Sequence, residues 1–547
     1  MRPGRRYVVF GICLLAVATV PVMVSSCGVF RGEPAVPSEY TDKDKPPSID
    51  PDYSGCVVPS NIAPLNFAVE EEGTDYRVRI YSGAAPGFVV ASSSGKIEIP
   101  LDKWRDLLGR SRGGELCFDV YVCDKKGTWR RYQTVTNKIA AEDIDGYVVY
   151  RLLGPIFQLW MEMGIYQRSL ADFREDVVVA TKGAKSGACI NCHSFVSNRP
   201  DNFAFHMRYP PESAMLLVRK GRATKVDTRT QYNPSSAAYI SWHPNGELIA
   251  FSANKISQII HTTGDARDVL DTASDLAVYD VASGKVFSTA DISKLDRLET
   301  FPSWSPDGRY LYFCSAPAWW PTDSKPGTHF KGYREVQYDL MRIGYDAKTG
   351  EWGKLEVVLR SKDVEGKSLV EPRVSPDQDG RFLLFCATDY GSFPVFRRSS
   401  DLYIMDLMDL RAKKYWPLDS NSRDEADSWH CWSSNGRWIA FASKRRTGEF
   451  SRIYLSYIDH DGNAHKPVLL PQADPTFYDS YMKNYNVPEL VTGPVKASQR
   501  GILGAIYGPQ KGRTASAVSG ATPKAGARPK TPPASRPASA PAPAGER

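Results

Sequence analysis

The residues best suited to chemistry form one short run, Cys189-Ile190-Asn191-Cys192-His193. Two thiols two residues apart, followed at once by an imidazole, make the C-x-x-C-H attachment pattern of a c-type haem. In that chemistry both sulfurs add across vinyl groups on one porphyrin edge, and the adjacent His becomes the proximal iron ligand. The chain holds 10 Cys and 8 His in 547 residues, so accident supplies roughly 0.003 such matches. Two other readings use the same residues: a redox C-x-x-C and half of a zinc site. The redox motif needs a βαβ frame that the flanking sequence does not offer. Zinc needs a second ligand pair, and no further C-x-x-C or H-x-x-x-H follows. One covalent haem c on Cys189, Cys192 and His193 is the expected cofactor.

Thirteen residues beyond His193 comes Phe205-His206-Met207-Arg208. Both His206 and Met207 can bind haem iron, and in a strand they point to opposite faces. His206 gives a bis-His, lower-potential haem, and Met207 raises the potential. His206 is the preferred sixth ligand, because an imidazole among Phe203, Phe205 and Met207 needs a partner if buried. Met207 is the alternative, with Met161 and Met163 as outsiders; core packing competes for each. Arg208 is placed to pair with a haem propionate. Asn191 and Ser194 read as structural.

The N-terminus fixes the expected compartment. Arg2, Arg5 and Arg6 precede an apolar run from Tyr7 to Val24, too short and wrongly flanked for a membrane span. It ends in Val24-Ser25-Ser26-Cys27, which resembles the lipobox of bacterial lipoproteins. The resemblance implies that Cys27 is lipidated and opens the mature chain, against a plain cleaved signal peptide with an incidental Cys. Each buried CH₂ of an acyl chain contributes about 0.8 kcal/mol. The expectation is an extracytoplasmic protein, periplasmic or on the outer membrane, tethered by lipid. Residues 28–52, rich in Pro and charge, read as a tether.

Charge excludes one class. The formal net charge is +7, but the cations concentrate in the leader and in a C-terminal stretch carrying Lys511, Arg513, Lys524, Arg528, Lys530, Arg536 and Arg547. The segment between is near neutral, so the basic balance is no argument for nucleic acid. Among the remaining cysteines, Cys117 and Cys123 lie in one strand-like run, about 20 Å apart if extended, and cannot bridge each other. Cys56 could pair with either. Cys314 and Cys386 occupy matching places in a repeat and read as small core hydrophobes.

That repeat fills the C-terminal half. Ser241-Trp242-His243-Pro244-Asn245-Gly246, Ser303-Trp304-Ser305-Pro306-Asp307-Gly308, Val374-Ser375-Pro376-Asp377 and Trp432-Ser433-Ser434-Asn435-Gly436 each precede an apolar strand. Asp/Asn-Gly favours the tight turn between the strands. The units recur about 60 to 70 residues apart, the spacing of four-stranded propeller blades. The run resembles the TolB-like β-propellers, whose repeats carry W-S-P-D-G, over roughly 230–470. A fifth unit, Ser194-Phe195 to Phe203-Ala204-Phe205, places C-x-x-C-H at the opening of the first blade. A sixth blade could form from 480–500 closing against the connector. The whole chain resembles the bacterial lipoproteins that join a c-type cytochrome motif to a TolB-like propeller, which implies haem binding.

The expected organisation is mainly β: signal peptide 1–26, tether 27–52, an immunoglobulin-like β-sandwich 53–140, a helical connector 141–188, a haem-bearing propeller of five to six blades 189–500 and a disordered tail 501–547. Alternation in Tyr76–Tyr81 and Leu116–Val122 carries the sandwich, and Leu152, Leu153, Ile156, Leu159, Trp160, Met163 and Tyr166 carry the helix. Asp459-His460-Asp461-Gly462 lacks the acidic end of a calcium loop and reads as a turn. No G-x-S-x-G, H-E-x-x-H or P-loop string is present. Three functions fit: electron transfer to or from a redox or envelope protein docked on the propeller; a propeller that binds a glycan, peptide or envelope protein, with structural or sensory haem and rim aromatics such as Trp319 and Trp320; and a haem enzyme with an open sixth position. The first is the expectation, with no catalytic residue assigned.

Overall fold

The computed structural model describes residues 34–83, 85–154, 163–180, 189–208, 213–231, 233, 235–261, 267–318, 332–377, 380–508 and 512–517. Cys27, the apolar leader, Met161, Trp319 and Trp320 lie outside these residues. Among the described residues no helix is long and apolar enough to cross a membrane.

Six sheets of four core strands stand around one axis as a β-propeller. Blade 1 runs inside to outside as Cys189–Val196, Arg199–Arg208, Ala214–Arg219 and Arg222–Asp227. Blades 2 to 5 repeat the order, with inner strands Ala238–Trp242, Arg297–Trp304, Ser368–Val374 and Asp427–Trp432. Blade 6 joins the two ends of the ring: Asn484–Val491 is its inner strand, and Tyr147–Leu153, Gly164–Ser169 and Glu175–Ala180 complete it. Each inner strand touches the next, and that of blade 6 touches that of blade 1. Apolar clusters fill the seams between blades.

The repeated turns hold by side-chain hydrogen bonds. Ser305 Oγ donates to Asp307 Oδ1 (2.6 Å) and accepts from Tyr310 N (3.0 Å). Ser375 with Asp377 and Ser433 with Asn435 do the same. In blade 2, His243 replaces the serine: Nδ1 accepts from Asn245 N (3.2 Å) and Nε2 donates to Gly308 O in the neighbouring turn (3.1 Å). Gly308 has φ +74, and a Cβ there would meet His243 Nε2 at 2.4 Å. The departure at Ser434 serves the domain interface, where its N–H and hydroxyl donate to Asp145.

The N-terminal unit is a sandwich of a seven-stranded and a three-stranded sheet, with Phe67 edge-on to Phe118 between them. Helix Leu101–Arg110 buries Trp104, whose Nε1 donates to Ile62 O (2.9 Å). The sandwich shares a continuous core with blade 5. Arg446 pairs with both Asp50 and Asp479, and Lys466 with Asp52.

Three expectations change. The connector's described residues form strands, not a helix: Tyr147–Leu153 is buried on both faces, and such a strand has no alternation to set it apart from a buried helix. Residues 41–50, expected in the tether, add strands Thr41–Asp42 and Ile49–Asp50 to the two sandwich sheets. The start of the expected tail is helix Gln499–Tyr507, and Arg513–Thr514 and Ser516–Ala517 extend blades 1 and 2 as edge strands. All eight described cysteines are free, so Cys56 bridges neither Cys117 nor Cys123; Cys314 and Cys386 are fully buried. Residues 459–462 form a turn capped by Asp459.

Ring closure gives a stability prediction. Asn198, at φ +58, donates to Trp432 O (2.9 Å) and Leu490 O (2.8 Å), tying blade 1 to blades 5 and 6. Asn198→Ala leaves two carbonyls without their donor, and chemical denaturation should show a loss of about 2 kcal/mol.

Candidate functional site

Each inner strand carries one bulged residue with positive φ: Cys192 (27°), Tyr239 (47°), Phe301 (51°), Glu371 (57°), Trp429 (49°) and Val487 (48°). A register shift marks the same place in all six sheets. The bulge turns these six side chains to a common cavity on the propeller axis. Tyr239 and Phe301 meet there at a tilt of 31°, ring centres 4.2 Å apart, beside Trp429. The C-x-x-C-H run is therefore an inner strand, and its second cysteine is the axial residue of blade 1.

In blades 1 and 5 the residue after the bulge is a histidine that reaches a carbonyl of a neighbouring blade. His193 Nε2 meets Val149 O of blade 6 (3.3 Å), and His430 Nε2 meets Leu384 O of blade 4 (3.3 Å). Both rings are buried, and Nδ1 of each lacks a hydrogen-bond partner. Burial holds both imidazoles down at about 3, so they are neutral at pH 7.

Cys189 begins the strand elsewhere, in an apolar cluster with Leu153 and Met163, its Sγ 3.5 Å from Met163 Sδ. Asn191, expected to be structural, donates to Cys189 Sγ (3.0 Å) and accepts from Arg151 Nη1. In the second strand, Phe205 lies opposite His193 and His206 opposite Asn191. Phe205 and Met207 join the apolar cluster shared with Val149 of blade 6. His206 points the other way, to Ser236 Oγ at 3.5 Å. Burial, then Arg208 and Arg151, hold the His206 ring well below its ordinary value. The arrangement brings Cys192 and His193 together at the axis; Cys189 is set apart, Met207 lies on the face turned to blade 6 but opposite Ile190, and His206 takes the other face.

The donor set suits haem c in kind: two free thiols, a neutral imidazole with one unpartnered nitrogen, and a second buried imidazole with only a long hydrogen bond. Arg151 and Arg208 both act on Cys192 and His206, and Arg151 Nε is unpartnered. A buried cation, Arg151, and a half-buried one, Arg208, would suit propionates. The described residues leave a cavity of about 30 Å³ beside Cys192 and His193. That is room for water, whereas ligand pockets span about 300–1,000 Å³. Segments 155–162, 181–188 and 209–212, adjoining these strands, lie outside the described residues. Among the described residues no three His, Cys, Asp or Glu side chains cluster as a metal site.

The axial Glu371 was not singled out in the sequence. Its Oε2 accepts from Trp429 N (2.8 Å), Oε1 has no partner, and burial pushes the carboxyl up to about 8. The available signal was its place two residues before Arg373 in the repeat, matching Tyr239 before Ser241.

No protein-family model matches the chain, and no curated protein matches it. Among solved structures, an oligogalacturonate lyase in complex with manganese is 12% identical over 59% of this chain and 73% of its own, with a TM-score of 0.34. Prolyl oligopeptidase B from Galerina marginata, bound to a 35mer substrate, is 10% identical over 64% of this chain and 42% of its own, with a TM-score of 0.34. An ACO/RPE65 chimera is 11% identical over 78% and 97%, with a TM-score of 0.33. Likenesses this distant carry nothing about chemistry, and the propeller is read from its own sheets.

The buried imidazoles give a pH prediction. His430 sits at about 3 when folded and near its ordinary 6.5 when unfolded. Between those values the unfolded chain binds the proton and the folded chain does not, so stability falls as pH drops from 6.5 toward 3. Denaturant titrations should show that His430→Gln makes this acid slope shallower by close to one proton.

Proposed function

We propose that this chain is a membrane-tethered, extracytoplasmic carrier of one covalent haem c that exchanges electrons with a protein docked on the propeller. The observation that carries the reading is the placement of Cys192 and His193 at the propeller axis, with Arg151 and Arg208 beside them. Cys189 and Cys192 supply the two thioethers, and His193 the proximal ligand. His206 is the preferred sixth ligand, because among the described residues its buried ring has only a 3.5 Å hydroxyl contact, whereas Met207 is ordinary core. Arg208 pairs with a propionate, and Cys27 carries the lipid. Bound haem c would supply one-electron redox chemistry. The same proposal takes the propeller as TolB-like and the sandwich as immunoglobulin-like.

The chain's own residues set conditions on this. His193 is neutral at pH 7, so it needs no deprotonation to become a ligand. Its Nε2 must leave the Val149 carbonyl, which lies across the seam between blades 1 and 6. That seam is where the two ends of the ring meet, so ligation by His193 would remove a contact between blades 1 and 6.

The test is the absorption spectrum of the soluble form matured with haem c machinery, oxidised and reduced, with and without carbon monoxide. A covalent, low-spin haem indifferent to carbon monoxide is expected. Replacing Cys189 and Cys192 together should abolish covalent attachment. His206→Ala should produce a haem that binds carbon monoxide, and Met207→Leu should not. A wild-type haem that binds carbon monoxide would favour catalysis or sensing; no covalent haem would leave a propeller binding protein.

A further inference from the structure

A second cavity, of about 170 Å³, lies off the axis on the face of blade 3 turned toward blade 2. Glu299, Ser315 and Asp339 sit opposite one another on three adjacent strands and form a polar row in it. Phe313, Met341 and Val357 occupy the neighbouring row, the first two as an apolar floor and the exposed Val357 at the mouth. Glu299 is 1% exposed, and among the described residues neither carboxylate oxygen takes a well-formed hydrogen bond, the Lys294 backbone N–H being the nearest donor to it. A buried carboxylate with both oxygens unsatisfied is costly, and a cationic donor relieves it.

We propose that this pocket binds a primary ammonium group on a short aliphatic stem, with Glu299 as its counter-ion and the apolar row holding the stem. Arg297 and Lys294 both favour the charged form of Glu299 from nearby, but each also has a contact of its own. Lys294 lies 3.9 Å from Asp291 in the connector from blade 2, and Arg297 Nε donates to Ser315 Oγ (2.8 Å). Asp339 accepts from Ser361 N (2.8 Å), Asp275 approaches from blade 2, and Arg360 closes the outer side. With Glu299 ionised, the lining holds three acids, Asp291, Glu299 and Asp339, against Lys294, Arg297 and Arg360. The unmet capacity is acceptor capacity, which selects a donor cation over an anion.

Burial, reinforced by Asp275, pushes the Glu299 carboxyl up to about 8. Below that pH it holds a proton that an ammonium ion must displace, while an alkylamine stays charged to about pH 10. Affinity therefore rises about tenfold per pH unit as pH climbs toward 8, with release of one proton.

Calorimetry on the full chain tests this, with n-butylamine as the probe and n-butanol as its uncharged match. Saturable butylamine binding is expected, tightening about tenfold between about pH 6.5 and 7.5 with buffer-dependent proton release. Glu299→Gln should abolish both. Val357→Trp fills the pocket, leaves Glu299 in place and should also abolish binding. Butanol binding as tightly as butylamine, retained binding in Glu299→Gln, or no butylamine binding to wild type near pH 8.5 would each overturn the proposal.

Discussion

Pairing between Asn484–Val491 and Tyr147–Leu153 is the constraint on which the molecule depends. It joins segments more than three hundred residues apart and makes a closed ring of what would otherwise be a row of sheets. Closing so long a loop costs only slightly more entropy than closing a shorter one, because the cost grows with the logarithm of length. The return is large: no inner strand is left with an open neighbour, and the seams between blades are filled with apolar side chains. The sandwich reinforces the closure through Asp145, whose carboxylate takes hydrogen bonds from Ser434 in blade 5 and Asn198 in blade 1.

Closure also explains the strained backbone at the axis. A non-glycine residue in the left-handed region costs roughly 1–2 kcal/mol, and the ring repeats that cost at all six inner strands. Positive φ at Cys192 is therefore a property of the architecture and carries no chemical message alone. The message lies in the side chain. Five blades offer the axis Tyr, Phe, Glu, Trp and Val, and the first offers a thiol followed by a histidine that turns into the closing seam.

Much of this was legible in the sequence because the W-S-P-D-G turn is local. Its serine bonds two and five residues ahead at Ser305 and Ser433, and two and seven ahead at Ser375, where the turn is longer. What escaped was non-local. Tyr147–Leu153 is buried on both faces, so its apolar run suits helix and strand equally, and its partner lies at the far end of the chain. Thr41–Asp42, Arg513–Thr514 and Ser516–Ala517 join sheets by backbone pairing of two residues, too short for any periodicity. The candidate site was legible in its residue types but not in its setting. A C-x-x-C-H string says which atoms react; only the six-fold register shows that Cys192 faces the axis while Cys189 packs beside Met163.

Strand alternation then limits how iron could be ligated. Phe205 and Met207 share the face turned to blade 6, where His193 also points, and His206 takes the opposite face. Met207 is thus on the correct side but already satisfied by core contacts, whereas His206 is on the wrong side but under-satisfied. A thioether loses little by staying in an apolar core, and a buried imidazole gains much from a partner. For the haem proposed above, the choice of sixth ligand would set geometry against chemical need. For His206 to join His193 on the proposed haem, its ring would have to leave the face of Arg199–Arg208 that it now occupies, opposite to Phe205 and Met207.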